Sequence, residues 1–456
     1  MRMRAFALLT ALLLVPAAGV SAQDTQEAAG PRTGSIDFGG QFSSVDGDEA
    51  RYSRFRDLRS GALLDAFKYT RRADDWQFNA AATHIGYRDQ RFVAEFRDYD
   101  RVRVNFSWDQ TPLFFSTGDR DQFGLLSASP YQRVGPGEYR LNDAMQASLQ
   151  AICPIPTSCS GAANAALAAQ RQSLLAQFVT QQASTLDIRH RRDTAVLDAR
   201  VHTGRGMDLL LHFQNVQKEG TQPWFASFGF NAANELAGPV DHRTTDIGAA
   251  LEWANPRGMI KVGWDGSWFS NNISTLVWDN PLRITDFTYG SAYSPGDGTS
   301  QARADLWPNS TMQTLSGTAT YKVGRTGRVY GNLGLSSWNQ DEDLLPHTIN
   351  TAIPVIPLPR QTADVQALVT SALAGYTTRP IDKLWLNFRY KLYDFDNDTP
   401  EFPVQFKGKS IRDQFRVGSD VDAVSRATMT VSSSARAVRD SARRVARQLL
   451  TPPASR

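Results

Sequence analysis

Along the chain, pairs of segments that alternate apolar and polar residues are joined by short turns, and long polar stretches separate the pairs. In the clearest pair, Ile247, Ala249, Leu251 and Trp253 alternate with Asp246, Gly248, Ala250 and Glu252. The chain turns at Asn255-Pro256-Arg257-Gly258 and resumes as Ile260, Val262 and Trp264 against Lys261, Gly263 and Asp265. A second pair sets Ala195, Leu197, Ala199 and Val201 against Leu209, Leu211 and Phe213 across Thr203-Gly204-Arg205-Gly206. A third runs from Leu315 through Lys322 to Val323, turns at Gly324-Arg325-Thr326-Gly327, and returns through Val329, Gly331, Leu333 and Leu335, with Tyr330, Asn332 and Ser336 opposite. The fourth uses Val369, Ser371 and Leu373, a turn over Thr378 to Lys383, then Leu384, Leu386, Phe388 and Tyr390 alternating with Trp385, Asn387, Arg389 and Lys391. Nearer the N-terminus, Val102, Val104, Phe106 and Trp108 alternate with Arg101, Arg103, Asn105, Ser107 and Asp109, and Trp76 to Gly86 makes a preceding strand. Period-two alternation places successive side chains on opposite faces of a sheet.

The apolar face is a core if the sheet is half of a soluble sandwich, and a lipid surface if it is the wall of a barrel. Alternation alone does not choose. The asymmetry between tight turns and long loops favours an antiparallel up-and-down transmembrane β-barrel, porin-like and large, with short periplasmic turns and long external loops. The strands reach the roughly 9–11 residues that a tilted spanning strand needs. The polar face then lines the lumen with Arg101, Arg103, Asn105, Asp109, Glu252, Lys261, Asp265, Lys322, Asn332, Arg389 and Lys391. A lining of mixed sign suits water or a protein surface better than a pore selective for one ion charge.

Export is read from the N-terminus. Arg2 and Arg4 precede the apolar run Ala5 to Val20, and Val20-Ser21-Ala22 ends it, the pattern of a signal peptide (1–22) cleaved before Gln23. A periplasmic linker (23–33) follows, then the barrel (34–431) and a basic tail (432–456). No later stretch approaches the roughly 18 apolar residues of a spanning helix. At 456 residues, 41% hydrophobic and 21% charged, the chain could fill a core, but its mean hydropathy of -0.38 excludes a polytopic helical protein. A net charge of +3 gives no reason to expect nucleic acid. Aromatics such as Trp108, Trp253, Trp264 and Tyr390 stand near strand ends, as in barrel girdles.

The segment from Gly135 to Ser184 breaks the strand rhythm. Asn142 to Ile152 and Ala162 to Ala183 are rich in Ala, Gln and Leu, so the spacing predicts a loop with one or two short helices. It either caps the barrel mouth, folds into the lumen, or decorates the surface. Cys153 and Cys159 lie within it and are read as a loop disulfide of an exported protein, ahead of a free reactive pair or a metal site. Neither belongs to a C-x-x-C-H motif, so the chain itself attaches no haem covalently. The six histidines are scattered: His84, His190, His202, His212, His242 and His347 form no metal-ligand spacing. Asp394, Asp396 and Asp398 imitate the start of a calcium loop, but Thr399 and Gln405 stand where its glycine and glutamate belong.

A series of short motifs adds a resemblance. Arg51-Tyr52 with Phe55-Arg56-Asp57-Leu58-Arg59-Ser60-Gly61, Gly86 with Asp89-Gln90, and Asp109-Gln110-Thr111-Pro112 come first. Then follow Asp187-Ile188-Arg189, Arg191-Arg192-Asp193, Glu235-Leu236, Pro239-Val240-Asp241, and Arg243-Thr244-Thr245-Asp246. Trp278-Asp279-Asn280-Pro281, Trp307-Pro308-Asn309, and Tyr393 to Pro400 complete it. In this order, from Gly34 to Val431, the chain resembles the MtrB/PioB outer-membrane proteins. The resemblance implies a barrel in the bacterial outer membrane that sheathes a decahaem c-type cytochrome, with an extracellular multihaem cytochrome as a further partner and lipid outside. Haem is then carried by the partner, and the barrel excludes lipid from the electron path.

Two departures qualify it. Some relatives carry closely spaced cysteines near the mature N-terminus, and no cysteine precedes Cys153 here. After Arg426 to Val431, Ser432 to Arg456 is rich in Ala, Arg and Ser without an aromatic, where relatives continue with further hairpins. The favoured expectation is a truncation or shifted reading frame; a smaller barrel, or a basic helical tail at Ser434 to Leu450, are the alternatives. Three functions follow in order: the cytochrome sheath, a porin for small solutes, and an outer-membrane hydrolase, for which no catalytic constellation stands out.

Overall fold

In the computed structural model, residues 32–116, 128–159, 161–228, 233–288 and 298–400 are described, with short backbone stretches at 403–404 and 427–428. The expected signal peptide and the basic tail lie outside the described residues. The first strand begins at Arg32, just inside the expected linker.

The chain first forms β1 (Arg32–Gln41), the short helix α1 (Glu49–Ser53), β2 (Gly61–Arg72), β3 (Trp76–Ile85), β4 (Arg91–Asp98) and β5 (Val102–Ser116). A long excursion follows, with β6 (Ala128–Ser129), β7 (Gln132–Gly135), β8 (Glu138–Arg140), α2 (Asp143–Ile152), α3 (Ala165–Gln182) and β9 (Ser184–Thr185). The wall resumes with β10 (Ile188–Gly204), β11 (Met207–Ser227), β12 (Ala233–Asn255) and β13 (Gly258–Asn271). A second excursion carries β14 (Thr275–Asp279) and β15 (Gln301–Asp305). Last come β16 (Ser310–Val323), β17 (Gly327–Gln340), β18 (Val365–Ile381), β19 (Leu384–Asn397), and the paired β20 (Pro403–Val404) and β21 (Ala427–Thr428).

The wall is a 13-stranded sheet in the order β1-β2-β3-β4-β5-β10-β11-β12-β13-β16-β17-β18-β19, each strand antiparallel to its chain neighbour, with β1 and β19 at its edges. Tight turns at 73–75, 99–101, 205–206, 256–257, 324–326 and 382–383 gather at one end. The long connections from β1 to β2, β5 to β10, β13 to β16 and β17 to β18 leave the wall at the other. Turn chemistry explains the tight end. Gly204, Arg205 and Gly206 all take positive φ, and a Cβ at Gly206 would meet the Ala254 carbonyl at 2.5 Å. At the next turn the Asn255 side chain accepts from the backbone N–H groups of Arg257 (2.8 Å) and Gly258 (2.9 Å).

Register aligns the apolar positions into continuous rows. Leu197 faces Phe213, which faces Ile247. Leu209 faces Leu251, which faces Val262; Trp264 faces Leu315, which faces Leu335. These side chains cover nothing: Leu251 and Val262 are each 52% exposed and Leu333 50%. In the fourth hairpin the expected facing is corrected. Leu373 lies opposite Lys391 and Gly375 opposite Arg389, so Val369, Ser371 and Leu373 share the polar face. The outward row of β18 is Thr370, Ala372, Ala374 and Tyr376, which meets Leu392, Tyr390 and Phe388. That strand also runs on to Ile381 through a bulge, so its turn is only Asp382-Lys383.

Beyond these rows, toward the long-loop end, β10, β11 and β12 continue with polar residues on both faces. The outward positions become Asp193 and Arg191, Gln217 and Glu219, Arg243 and Asp241. The two excursions combine there into a small capping unit. β15, β14, β8 and β7 form a four-stranded sheet in which β14 runs parallel to β8. Tyr131, Tyr139, Leu141, Leu149, Phe178, Leu276, Trp278 and Leu306 make a buried cluster with Phe228 and Leu236 of the β11–β12 extension. α2 starts where the Asn142 side chain accepts from the Met145 N–H, and α3 contributes the fully buried Phe178. The expected helical loop is therefore a cap built with a second loop, fixed by the Cys153–Cys159 disulfide.

Candidate functional site

The polar face opposite the apolar rows carries the concentrated chemistry of the wall. All eleven positions singled out from the sequence lie on it, spread over several strands. Arg103, Asn105 and Asp109 project from β5; Arg103 lies opposite Arg97 and Arg200, Asn105 opposite Glu95 and Asp198, and Asp109 opposite Arg91 and Thr194. Arg101 stands just before β5, where its carbonyl accepts from the His202 N–H at 2.7 Å. Glu252 faces Lys261 across the β12–β13 hairpin, and Asp265 faces Gly248. Asn332 faces Thr318 on one side and Leu373 on the other. Lys322 sits at the tight-turn rim, its Nζ donating to the Pro256 carbonyl at 2.9 Å. Arg389 and Lys391 lie on the exposed edge strand β19.

The structure brings together groups that sequence spacing did not. Glu95 takes ion pairs from Arg97 (2.8 Å) and Arg103 (3.0 Å). Arg200 spans β10, β11 and β12, pairing with Asp208 and with Glu252 at 2.9 Å. His202 contacts Asp208 at 2.6 Å, and His212 contacts Asp198 at 2.7 Å. A depression on this face is lined by Arg103, Asp198, Arg200, His212, Lys261 and Asp265 among others. Each exposed pair contributes less than about 1 kcal/mol. Their collective effect is neutralisation on β4, β5 and β10–β12, whereas at the tight-turn rim of β16 and β17 Lys322 lies opposite Arg328. The alternation of Asp198, Arg200 and His202 with Leu197, Ala199 and Val201 was the available signal for these partners. Among the described residues, no group of three or more His, Cys, Asp or Glu could hold a metal ion.

The family model described as "Putative outer membrane beta-barrel porin, MtrB/PioB" matches residues 45–442. The chain belongs to this family. No curated protein matches it. Among solved structures, OmpT of Vibrio cholerae is 10% identical with a TM-score of 0.26, covering 79% of this chain and 77% of that one. A mutant of the ferric enterobactin receptor of Pseudomonas aeruginosa is 9% identical with a TM-score of 0.31, covering 84% of this chain and 56% of that one. The family match, and not these shallow superpositions, carries the assignment.

In this MtrB/PioB chain the apolar rows are the lipid side of an outer-membrane wall. The motifs noted in the sequence collect at the opposite end from the tight turns. In the Arg51–Gly61 segment, α1 is tied to β5 because the Phe114 N–H donates to the Arg54 carbonyl at 3.0 Å. Buried Asp57 accepts from the Arg88 N–H at 2.9 Å and pairs with Arg59 at 3.3 Å. In the cap, Asp279 accepts from the Leu141 N–H and from Arg140, both at 2.9 Å, while burial pushes its carboxyl above the ordinary value. The Asn280 side chain ties the same turn to the Thr299 carbonyl at 2.7 Å and to the Leu282 N–H at 3.0 Å. These motif residues brace the loops where they leave the wall.

Proposed function

We propose that this chain is the wall of an outer-membrane sheath that houses and positions a multihaem c-type cytochrome, so that electrons cross the membrane along the partner's haems. The observation that carries the reading is the polar face. From β4 to β13 its acidic and basic groups meet across adjacent strands, which offers a threaded protein a hydrated surface of mixed sign there and gives no ion of one charge a favoured path along it. Membership of the MtrB/PioB family supports the same role, and the chain's own cysteines leave haem attachment to the partner. The work of this chain is then mechanical and dielectric. The lipid-facing rows hold the sheet in the membrane, the paired polar face keeps water and protein inside it, and the cap restricts access at the long-loop end. The test is purification of the intact protein from outer membranes, with haem staining of whatever accompanies it. A stoichiometric haem-bearing partner is expected, and consistent absence of one overturns the reading. The porin in the family description favours a second reading, a solute channel; that reading expects ion conductance from the protein alone in planar bilayers.

A further inference from the structure

At the long-loop end of the polar face a group of cations faces one another without a counter-charge, as Lys322 and Arg328 do at the tight-turn rim. Above the apolar rows, Arg192 of β10 lies directly opposite Lys218 of β11, and Lys218 directly opposite His242 of β12. Like charges facing each other across a ladder are destabilising. Among the described residues, neither Arg192 nor Lys218 has an ion-pair partner, and the charge acting on Lys218 is that of Arg192. Flanking positions of this level are the neutral Thr111 and Asn271.

Two histidines close the group. His190, one pleat nearer the loops than Arg192, is 7% exposed; its ring lies 5.6 Å from that of Phe115, and its Nδ1 has no hydrogen-bond partner among the described residues. His242 packs its ring 4.9 Å from Trp307 and 5.5 Å from Phe269, with Nε2 likewise unpartnered. Burial pushes His190 down to about 4, with Lys218 and His242 adding to the effect; burial and Lys218 also push His242 down. Both imidazoles are therefore neutral at physiological pH beside two unneutralised cations. A divalent cation would meet Lys218 and Arg192 as like charges, which argues against a metal. An oxyanion satisfies every member: it neutralises both cations and turns the orphaned ring nitrogens into donors by raising the histidines' affinity for protons.

We propose that Arg192, Lys218, His190 and His242 form a binding site for an oxyanion, a carboxylate or phosphate-type group, on the polar face at the long-loop rim of the wall. The group is supplied either by a free solute or by an acidic side chain of a protein passing through, and the site does not depend on which. It lies on the face opposite lipid, so a lipid headgroup is not its ligand.

Sulfate is the probe, because its charge is constant over the relevant pH range. The full-length protein in detergent is titrated with sulfate by calorimetry, with heat-modifiable gel mobility confirming that each variant is folded. The expected result is one saturable site per chain, weakened at least about tenfold by Lys218→Gln or Arg192→Gln and unaffected by Arg103→Gln on the neutralised part of the face. Affinity should rise as the pH falls from about 8 to about 5.5, with proton uptake that His190→Gln reduces, since the charges facing His190 are Lys218 and His242. A polyglutamate peptide that displaces sulfate one for one assigns the site to protein carboxylates; failure to displace it assigns the site to free oxyanions. Absence of saturable binding, or binding unchanged in both Lys218→Gln and Arg192→Gln, overturns the proposal.

Discussion

The wall and the cap use the same apolar residues in opposite ways. In the wall, Leu251, Val262 and Leu333 are about half exposed and stand in rows with nothing behind them. In the cap, a short distance above, Leu149, Leu276 and Phe178 are completely buried in a shared cluster. The lesson is that one chain is written for two solvents. The wall is held by its hydrogen-bonded ladder and by lipid, whereas the cap is an ordinary aqueous domain held by apolar burial. Damage to one should leave the other standing.

The largest effect should come from emptying the cap core. Phe178→Ala is expected to destabilise the cap by about 3–5 kcal/mol. Limited proteolysis should then cut within 135–184 or 272–309 while the wall keeps its heat-modifiable mobility; simultaneous loss of both would merge the two regions into one cooperative unit. Next is a charge placed in the lipid rows. Leu251→Arg should cost about 2–4 kcal/mol in urea unfolding from lipid vesicles, whereas Asn332→Arg on the polar face should change the midpoint little. Equal costs at the two positions would erase the distinction between the faces.

The hairpins of the wall are readable from the sequence because the two strands of each follow one another along the chain across a tight turn. The hairpin through Asn255 to Gly258 pairs Leu251 with Val262, and the one through Gly324 pairs Leu315 with Leu335, as alternation alone implies. β18 runs against its own pattern, because its outward row of Thr370, Ala372 and Ala374 has too little contrast and Val369 and Leu373 are the more apolar set. The cap was only half legible. Its helices show in the composition of 142–183, but its sheet joins Tyr139 to Trp278 across more than a hundred residues, and no local pattern encodes such a contact. The polar face was visible residue by residue, yet Glu95 and Arg200 gained their partners only through register.

Smaller effects sharpen the comparison within the cap. Replacing Cys153 and Cys159 together by Ser removes a short cross-link and should lower cap stability by about 2 kcal/mol, seen as faster proteolysis of the α2–α3 segment with the wall unchanged. The smallest effect concerns Asp286, which clasps two external loops. Burial works to raise its carboxyl, but hydrogen bonds from Ser300 (2.8 and 2.7 Å) and Thr351 (2.7 and 2.6 Å) outweigh burial and hold it below its ordinary value. Its contribution is therefore present above the ordinary carboxylate range and lost as pH falls through the lowered folded value. Hydrogen exchange at 286–288 and 298–300 should accelerate on acidification in the native chain and lose that pH dependence in Asp286→Asn.

The most direct measurement of the account is made on β12 in lipid. Single cysteines introduced one at a time from Ile247 to Trp253 can be spin-labelled selectively, because the native Cys153 and Cys159 are joined to each other. Labels at 247, 249, 251 and 253 should be accessible to oxygen dissolved in the bilayer, and those at 248, 250 and 252 to a water-soluble nickel reagent, with a period of two. Uniform access of the water-soluble reagent to both sets, or shielding of the odd set from both reagents, would contradict a lipid-facing wall.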